Sequence, residues 1–174
     1  MEHLNEYTIP FKGLKEGKHV YQYEIDNKFF AEFEESEVKE GKVSVKVELD
    51  KKPSFLLLTF NIKGTISVVC DRCLEYFDQS VKTKSQLIVK FTDEEYEEGD
   101  DVIFLSPTAY QLNVAQYIYE FIILAIPIQR IHPVDKEGKS MCDPEMVRKL
   151  QQYISNGNES GDSPWNELKK LFDN

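Results

Sequence analysis

Two neighbouring stretches, KVSVKVEL (residues 42–49) and SFLLLTFNI (residues 54–62), carry the pattern that decides the fold. In the first stretch apolar and polar residues alternate. In the second, every other residue is apolar, so one side of the extended chain is apolar throughout. The apolar side consists of Val43, Val45, Val47 and Leu49 in the first stretch, and of Leu56, Leu58, Phe60 and Ile62 in the second. Alternate side chains of an extended chain point to opposite faces, so both stretches predict β-strands with one face buried.

Similar stretches continue the pattern along the chain. TISVVC (residues 65–70) and SVKTKSQLIVKF (residues 80–91) predict two more strands, with Gly64 separating the first of them from residues 54–62. Short links between successive strands favour an antiparallel meander. Residues 7–11, 19–25 and 28–35 predict earlier strands. The predicted fold is α+β, mainly an antiparallel β-meander. The pattern is compatible both with an open sheet and with a closed barrel.

Two helices are predicted after the strands. Asn113 is the expected N-cap of the first, and Pro127 ends it. Its apolar stripe is Val114, Tyr117, Ile118, Phe121, Ile122 and Ala125, and its last turn, FIILAI, is expected to be deeply buried because it is apolar all round. Asp143 is the expected cap of the second helix, whose apolar face is Met146, Leu150, Tyr153 and Ile154.

The end of the chain predicts a separate element. Residues 155–163, SNGNESGDS, have the composition of a flexible linker. The stretch SPWNELKKLF then places Trp165, Leu168 and Phe172 on one side of a short helix. We therefore expect a main domain over residues 1–154 and a tethered amphipathic helix within residues 155–174. This helix either docks on a partner or folds back on its own domain.

Composition and motifs limit the possible functions. The chain has 174 residues and a net charge of −10, from 31 acidic and 21 basic residues, which is opposite to the usual balance of a phosphate-binding protein. The N-terminus lacks the pattern of a secretory signal, and the longest apolar run is far shorter than the roughly 20 residues of a membrane span. A Gly-rich phosphate loop, HExxH and GxSxG are all missing from the sequence. We expect a cytoplasmic protein that is not an enzyme and has no small-molecule substrate.

An acidic run follows the predicted strands. DEEYEEGDD, residues 93–101, contains seven acids in nine positions, beginning with Asp93, Glu94 and Glu95. Runs of this kind are usually solvated loops. The alternative is a binding site for a basic partner.

The cysteines allow three interpretations. The pair in CDRC, Cys70 and Cys73, can supply two ligands of a zinc site, and Cys142 and His132 can complete a Cys3His set. A thioredoxin-like redox pair fits poorly, because such a pair begins a helix within a βαβ unit. Plain burial of the thiols in a core remains open, since free cysteines are often buried.

The chain also resembles the YceD family. The resemblance lies in CDRCLEYF from Cys70, in EFIILAIPIQRIH (residues 120–132), in Cys142 and in the tail DSPWNELKKLF from residue 162. The N-terminal residues 7–30 are similar to the version found in Bacteroidetes-type members. The family pattern extends to Cys70, Asp71, Arg72, Cys73, Leu74, Glu120, Pro127, His132, Cys142 and Trp165.

The resemblance implies a role in the accumulation of large-subunit ribosomal RNA and no enzymatic activity. The partner is then a basic ribosomal protein or precursor particle, bound by the acidic run, Arg72 and the Trp165 helix. Direct RNA binding is the alternative, with candidates Lys82, Lys84 and Lys90, Arg72, and Lys12, Lys15 and Lys18. A zinc-stabilised interaction scaffold unrelated to ribosomes is a further alternative.

Overall fold

The computed structural model describes residues 2–34, 36–93, 99 and 101–157, without the side chains of residues 2, 3 and 155–157. It divides into two compact units. The first, here called the sheet unit, contains Met1–Val68 and Tyr76–Arg130. The second, here called the cysteine unit, contains Val69–Glu75 and the chain from Ile131. A domain boundary at residue 154 stays a prediction.

The described elements follow one another in chain order. A 3-10 helix, Glu2–Tyr7, comes first. The strands are β1 (Thr8–Ile9), β2 (Gly17–Ile25), β3 (Gly41–Lys51), β4 (Phe55–Val69), β5 (Tyr76–Phe91), β6 (Val102–Leu105) and β7 (Leu112–Asn113). The helices are α1 (Asn27–Ala31), α2 (Ala115–Leu124) and α3 (Pro144–Gly157).

The main sheet has the order β2-β3-β4-β5-β6, and β1 pairs with β7 in a separate two-stranded sheet. β2 and β3, and β3 and β4, pair antiparallel, with Val45 opposite Tyr23 on one side and Ile62 on the other. β6 pairs with β5 in parallel. The predicted α+β class with a mainly antiparallel meander is confirmed. Within the described residues the sheet is open, with β2 and β6 at its edges.

The alternation of the two opening stretches is confirmed by burial. The inward residues of β3 and β4 are almost completely inaccessible, and Val81, Leu87 and Val89 of β5 join them. α2 contributes Ile118 and Ile122 to the same hydrophobic cluster. The core of the sheet unit therefore lies on one face of the sheet, and the outward face carries the polar half of the pattern.

Two strand predictions were wrong. β4 runs without a break through Gly64, so this residue does not separate two strands. Glycine is needed there because β3 passes so close that a Cβ at residue 64 would collide with the Lys42 carbonyl oxygen. The predicted strand over residues 28–35 is also wrong, because α1 includes residues 28–31 and a turn follows in residues 32–34. Asp26 caps this helix by accepting hydrogen bonds from the backbone N–H groups of residues 28 and 29. Phe29 and Phe30 are both buried, which the alternation of a strand would not allow.

The first predicted helix exists as α2, but two details differ. Its N-cap residue is Val114, while Asn113 lies in β7 and accepts a hydrogen bond from the Ala115 N–H at 2.9 Å. The deep burial predicted for the last turn was wrong, since Leu124 is 79% exposed. Successive helical residues turn by about 100°, so a position two residues beyond the buried Ile122 faces away from the core.

α3 confirms the second predicted helix and extends it to Gly157, into the predicted linker. The Asp143 carboxylate accepts a hydrogen bond from the Glu145 N–H at 2.9 Å, as expected of a capping residue. Residues 158–174, with the predicted Trp165 helix, lie outside the described residues. In the part of the chain that the structure describes, every helix is too short or too polar to cross a bilayer.

Candidate metal centre

A tight turn after β4 positions the first two cysteines. The Cys70 N–H donates to the Glu75 carbonyl oxygen at 2.9 Å, and the Leu74 N–H donates to the Cys70 carbonyl oxygen at 2.9 Å. The Arg72 N–H points at the Cys70 sulfur, 3.4 Å away. Leu74 has a φ of 64°, the left-handed conformation that glycine adopts most easily. This turn brings Cys70 and Cys73 to the same side of the chain.

A small loop positions the other two residues. Asp135 accepts hydrogen bonds on its Oδ1 from the Glu137 and Lys139 N–H groups, at 2.9 and 2.8 Å. Residues 134 and 140 form an antiparallel bridge around Gly138, which has a φ of 80°. The loop therefore returns the chain on itself, so that the residues at its two ends, His132 and Cys142, come close together.

The four side chains form one cluster. Their ligand atoms, three sulfurs and one imidazole nitrogen, all lie within 4.8 Å of one another. The Cys70 and Cys142 sulfurs are 3.8 Å apart, and the Cys73 sulfur is 3.3 Å from Nδ1 of His132. All three cysteines are buried and free of disulfides, and His132 is half-buried. The arrangement could hold a metal ion.

The distances can be compared with those of a tetrahedral zinc ion. Two sulfurs bound at about 2.3 Å are about 3.8 Å apart, and a sulfur and a histidine nitrogen are about 3.5 Å apart. The observed separations of 3.8 and 3.3 Å are close to these values. The donor set, three thiols and an imidazole, is one that structural zinc sites use.

The electrostatics differ between the two cysteines of the turn. Burial raises the pKa of the Cys70 thiol, but hydrogen bonds from the backbone of Cys73, His132 and Arg72, and from the His132 ring, lower the pKa to about 6. Burial raises the pKa of Cys73. The cluster thus favours a thiolate at Cys70, and the thiolate is the form of cysteine that binds metal.

The other predicted site residues have different surroundings. Arg72 is exposed at the tip of the turn. Asp93 is exposed and accepts a hydrogen bond from the Ser106 hydroxyl at 3.2 Å. Glu94 and Glu95 lie outside the described residues, as do Trp165, Leu168 and Phe172. Partner binding by these residues stays a prediction.

The sequence reasoning missed the residues that build the second half of the site. Asp135 organises the loop, and the Ser140 hydroxyl accepts a hydrogen bond from the Cys142 N–H at 3.2 Å. The stretch DKEG, residues 135–138, could have revealed this turn, because Asp and Gly at this spacing are typical of turns.

Comparison with known proteins identifies the family. The family model described as "Large ribosomal RNA subunit accumulation protein YceD" matches residues 58–172, which is 115 of the 174 residues. The chain belongs to the YceD family. The resemblance seen in the sequence is confirmed, and all four residues of the cluster fall within the YceD match. The match begins at residue 58, so the similarity of residues 7–30 to Bacteroidetes-type members stays a prediction. No curated protein and no solved structure matches the chain significantly.

Proposed function

We propose that this protein is a non-enzymatic factor that supports the accumulation of large-subunit ribosomal RNA during ribosome assembly. The observation that carries the proposal is the YceD match over residues 58–172, since the family's name links it to that process. The protein acts by binding a basic ribosomal protein or a precursor particle, and a zinc ion stabilises its cysteine unit.

The charge of the chain supports a basic protein partner. The net charge is −10, and seven of the acids are concentrated in residues 93–101. A surface with this charge attracts Lys- and Arg-rich proteins and accelerates their association, most strongly at low salt. Ribosomal proteins have this composition, because they bind phosphates.

The burial pattern of the cysteine unit supports structural zinc. Among its described residues, the buried ones are Cys70, Cys73 and Cys142. A region with as little buried apolar surface as these described residues have needs another source of stability, and metal binding can supply it. The ion would join the turn after β4 to the loop before α3 through Cys70 and Cys73 on one side and His132 and Cys142 on the other. All four positions of a tetrahedral ion are then filled by protein, as in structural rather than catalytic sites.

Native mass spectrometry of the purified protein tests the zinc. We expect one zinc ion per chain, and its loss in Cys142→Ser and His132→Ala. His19→Ala is the matched control, because His19 belongs to the sheet unit, where its ring contacts the Lys15 carbonyl oxygen, and its loss should leave the zinc in place. Replacement of zinc by Co²⁺ in the wild type gives a second measurement, since thiolate-to-cobalt absorption reports cysteine ligands. A wild-type protein that is folded without metal would contradict this part of the proposal.

Competition binding tests the partner. A labelled basic ribosomal protein of the large subunit is bound to this protein, and excess unlabelled ribosomal protein is then added. We expect the unlabelled ribosomal protein to displace the label. Deletion of the gene for the YceD-family protein described here should lower the amount of large-subunit ribosomal RNA in cells relative to small-subunit RNA. An unchanged ratio would contradict the proposed role.

A further inference from the structure

The outward face of the main sheet carries a group of lysines. β3, β4 and β5 are neighbours in the sheet, and their inward positions are buried. Six lysines occupy exposed positions on the opposite face, here called the lysine face: Lys42 and Lys46 in β3, Lys63 in β4, and Lys82, Lys84 and Lys90 in β5. The face is therefore locally basic in a protein that is acidic as a whole.

The register of β3 and β4 brings three of these lysines close together. Lys63 lies opposite Ser44, so Lys42 and Lys46 are its two diagonal neighbours. Diagonal neighbours in an antiparallel pair are about 7–8 Å apart. Cations at this distance repel each other, and an anion placed between them removes the repulsion.

Three of the acids around this face have other partners. Glu48 pairs with Lys18 at 2.7 Å, and Asp50 pairs with Lys52 at 2.9 Å. Glu24 accepts a hydrogen bond from the Ser44 hydroxyl at 3.0 Å. Two further acids lie beside lysines of the face: Asp78 lines a hollow together with Lys42, and Asp101 lines another together with Lys84. Among the ion pairs that join described residues, none uses a lysine of the lysine face.

We propose that the lysine face binds the ribose–phosphate backbone of RNA without base specificity. Residues along a strand that share a face repeat about every 6.7 Å, and strands are about 4.8 Å apart, so the cations form a grid suited to a polymer of regularly spaced charges. Asn61, Thr65 and Gln86 stand between the lysines. Their hydroxyl and amide groups can donate hydrogen bonds to phosphate and ribose oxygens.

An acidic protein fits this face less well. Protein interfaces usually have an apolar centre surrounded by polar residues. Of the exposed large apolar side chains among the described residues, these three strands carry Tyr76, and it stands at the first position of β5. The face thus offers charge and hydrogen bonds without an apolar anchor, which is what backbone binding of a nucleic acid needs.

The inference rests on the proposed function and adds a second surface to it. The acidic run binds the basic protein partner, and the lysine face binds RNA of the same precursor particle. The protein would then hold a ribosomal protein and ribosomal RNA at once, which raises their effective concentration for each other.

Fluorescence anisotropy with a labelled single-stranded RNA of about 20 nucleotides, in about 50 mM salt, tests the inference. The face variant is Lys63→Gln, Lys82→Gln and Lys84→Gln combined. The control variant combines Lys28→Gln, Lys136→Gln and Lys139→Gln, which are exposed lysines outside the three strands of the face. Both variants lose the same net charge, so a difference between them reports the location of the lysines.

We expect the wild type and the control variant to bind RNA, and the face variant to bind more than about tenfold more weakly. The slope of log affinity against log salt should decrease by about 2 in the face variant, because each phosphate contact with single-stranded RNA contributes about 0.7. Equal loss in both variants, or no RNA binding by the wild type, would overturn the inference. Polyglutamate that competes as well as RNA does would overturn it too, in favour of an acidic protein.

Binding of the basic ribosomal protein is measured on the same variants. If RNA binding fails while the wild type still binds the ribosomal protein, the lysine-face inference falls and the proposed function stands. If the ribosomal protein does not bind and the ribosomal RNA ratio is unchanged in cells, the proposed function falls.

Discussion

The sheet unit and the cysteine unit bury different kinds of side chain. Every buried member of the hydrophobic cluster lies in the sheet unit, including large residues such as Phe30 and Phe60. In the described part of the cysteine unit, the buried residues are three cysteines. α3 of that unit exposes Leu150, Tyr153 and Ile154, with Tyr153 78% exposed.

The difference shows two ways of offsetting the conformational entropy that folding removes. Ordering the backbone costs about 1–2 kcal/mol per residue. The sheet unit offsets this cost with apolar surface removed from water, at about 25 cal/mol per Å². The described part of the cysteine unit buries too little apolar surface for that, so its stability should depend on ligand–metal bonds that form between distant parts of the chain.

Removal of the metal should have the largest effect and should separate the units. A chelator is expected to unfold the cysteine unit, because zinc contributes an apparent 10–16 kcal/mol, roughly, to the folding of small zinc domains. Hydrogen–deuterium exchange should show loss of protection in residues 131–157 and unchanged protection in β3 and β4. Equal loss in both units would mean that the comparison between them is wrong.

Phe60→Ala tests the opposite side of the comparison. Phe60 is fully buried, and its ring lies 5.0 Å from that of Phe121 in an edge-on arrangement. The substitution should cost the sheet unit about 3–5 kcal/mol in free energy of unfolding, since it leaves a cavity. Chemical denaturation followed by circular dichroism of the sheet measures the change. Leu124→Ala, at an exposed apolar position, is the control and should change the stability by less than about 0.5 kcal/mol.

Gly64→Ala tests the close approach of β3 and β4. A methyl group at residue 64 would meet the backbone of Lys42 and Val43, and backbone cannot move aside as a flexible side chain can. We expect a loss of about 1–3 kcal/mol, measured by thermal unfolding. Gly13→Ala is the matched control, because no atom lies within 4 Å of the added carbon there. Equal effects of the two substitutions would show that the contact with β3 does not restrict residue 64.

Leu74→Gly should have the smallest effect, and in the opposite direction. Leu74 has a left-handed backbone, which costs a leucine about 1–2 kcal/mol of folding free energy, and glycine removes this cost. Glycine also gives the unfolded chain more conformational freedom, which offsets part of the gain in stability. The zinc-loaded protein should therefore gain up to about 1 kcal/mol, seen as slower zinc release to a chelator. Leu74→Ala keeps the strain and should show no gain. Faster release from the glycine variant would mean that the leucine side chain itself supports the site.

Local patterns in the sequence were enough for most of the sheet. Alternation fixed the inward faces of β3 and β4, because the strand period depends only on the extended backbone. Where local patterns compete, the prediction failed. Phe29 and Phe30 have the high β-propensity of strand residues, but both are buried, which fits a helix better. The hydrogen bonds of the Asp26 cap favour the helix. The pattern predicts a break at Gly64, but β4 continues through this residue, and the glycine leaves room for the close approach of β3.

The sequence by itself determined the inward faces of the central strands, the positions of α2 and α3, and the four candidate metal ligands. The tertiary structure decided that Cys70, Cys73, His132 and Cys142 meet within 4.8 Å, and that Lys63 lies between Lys42 and Lys46. The physical reason is the range of the interactions. Periodicity and capping act over a few residues, whereas bringing residue 70 to residue 142, or pairing residue 44 with residue 63, depends on the packing of the chain between them.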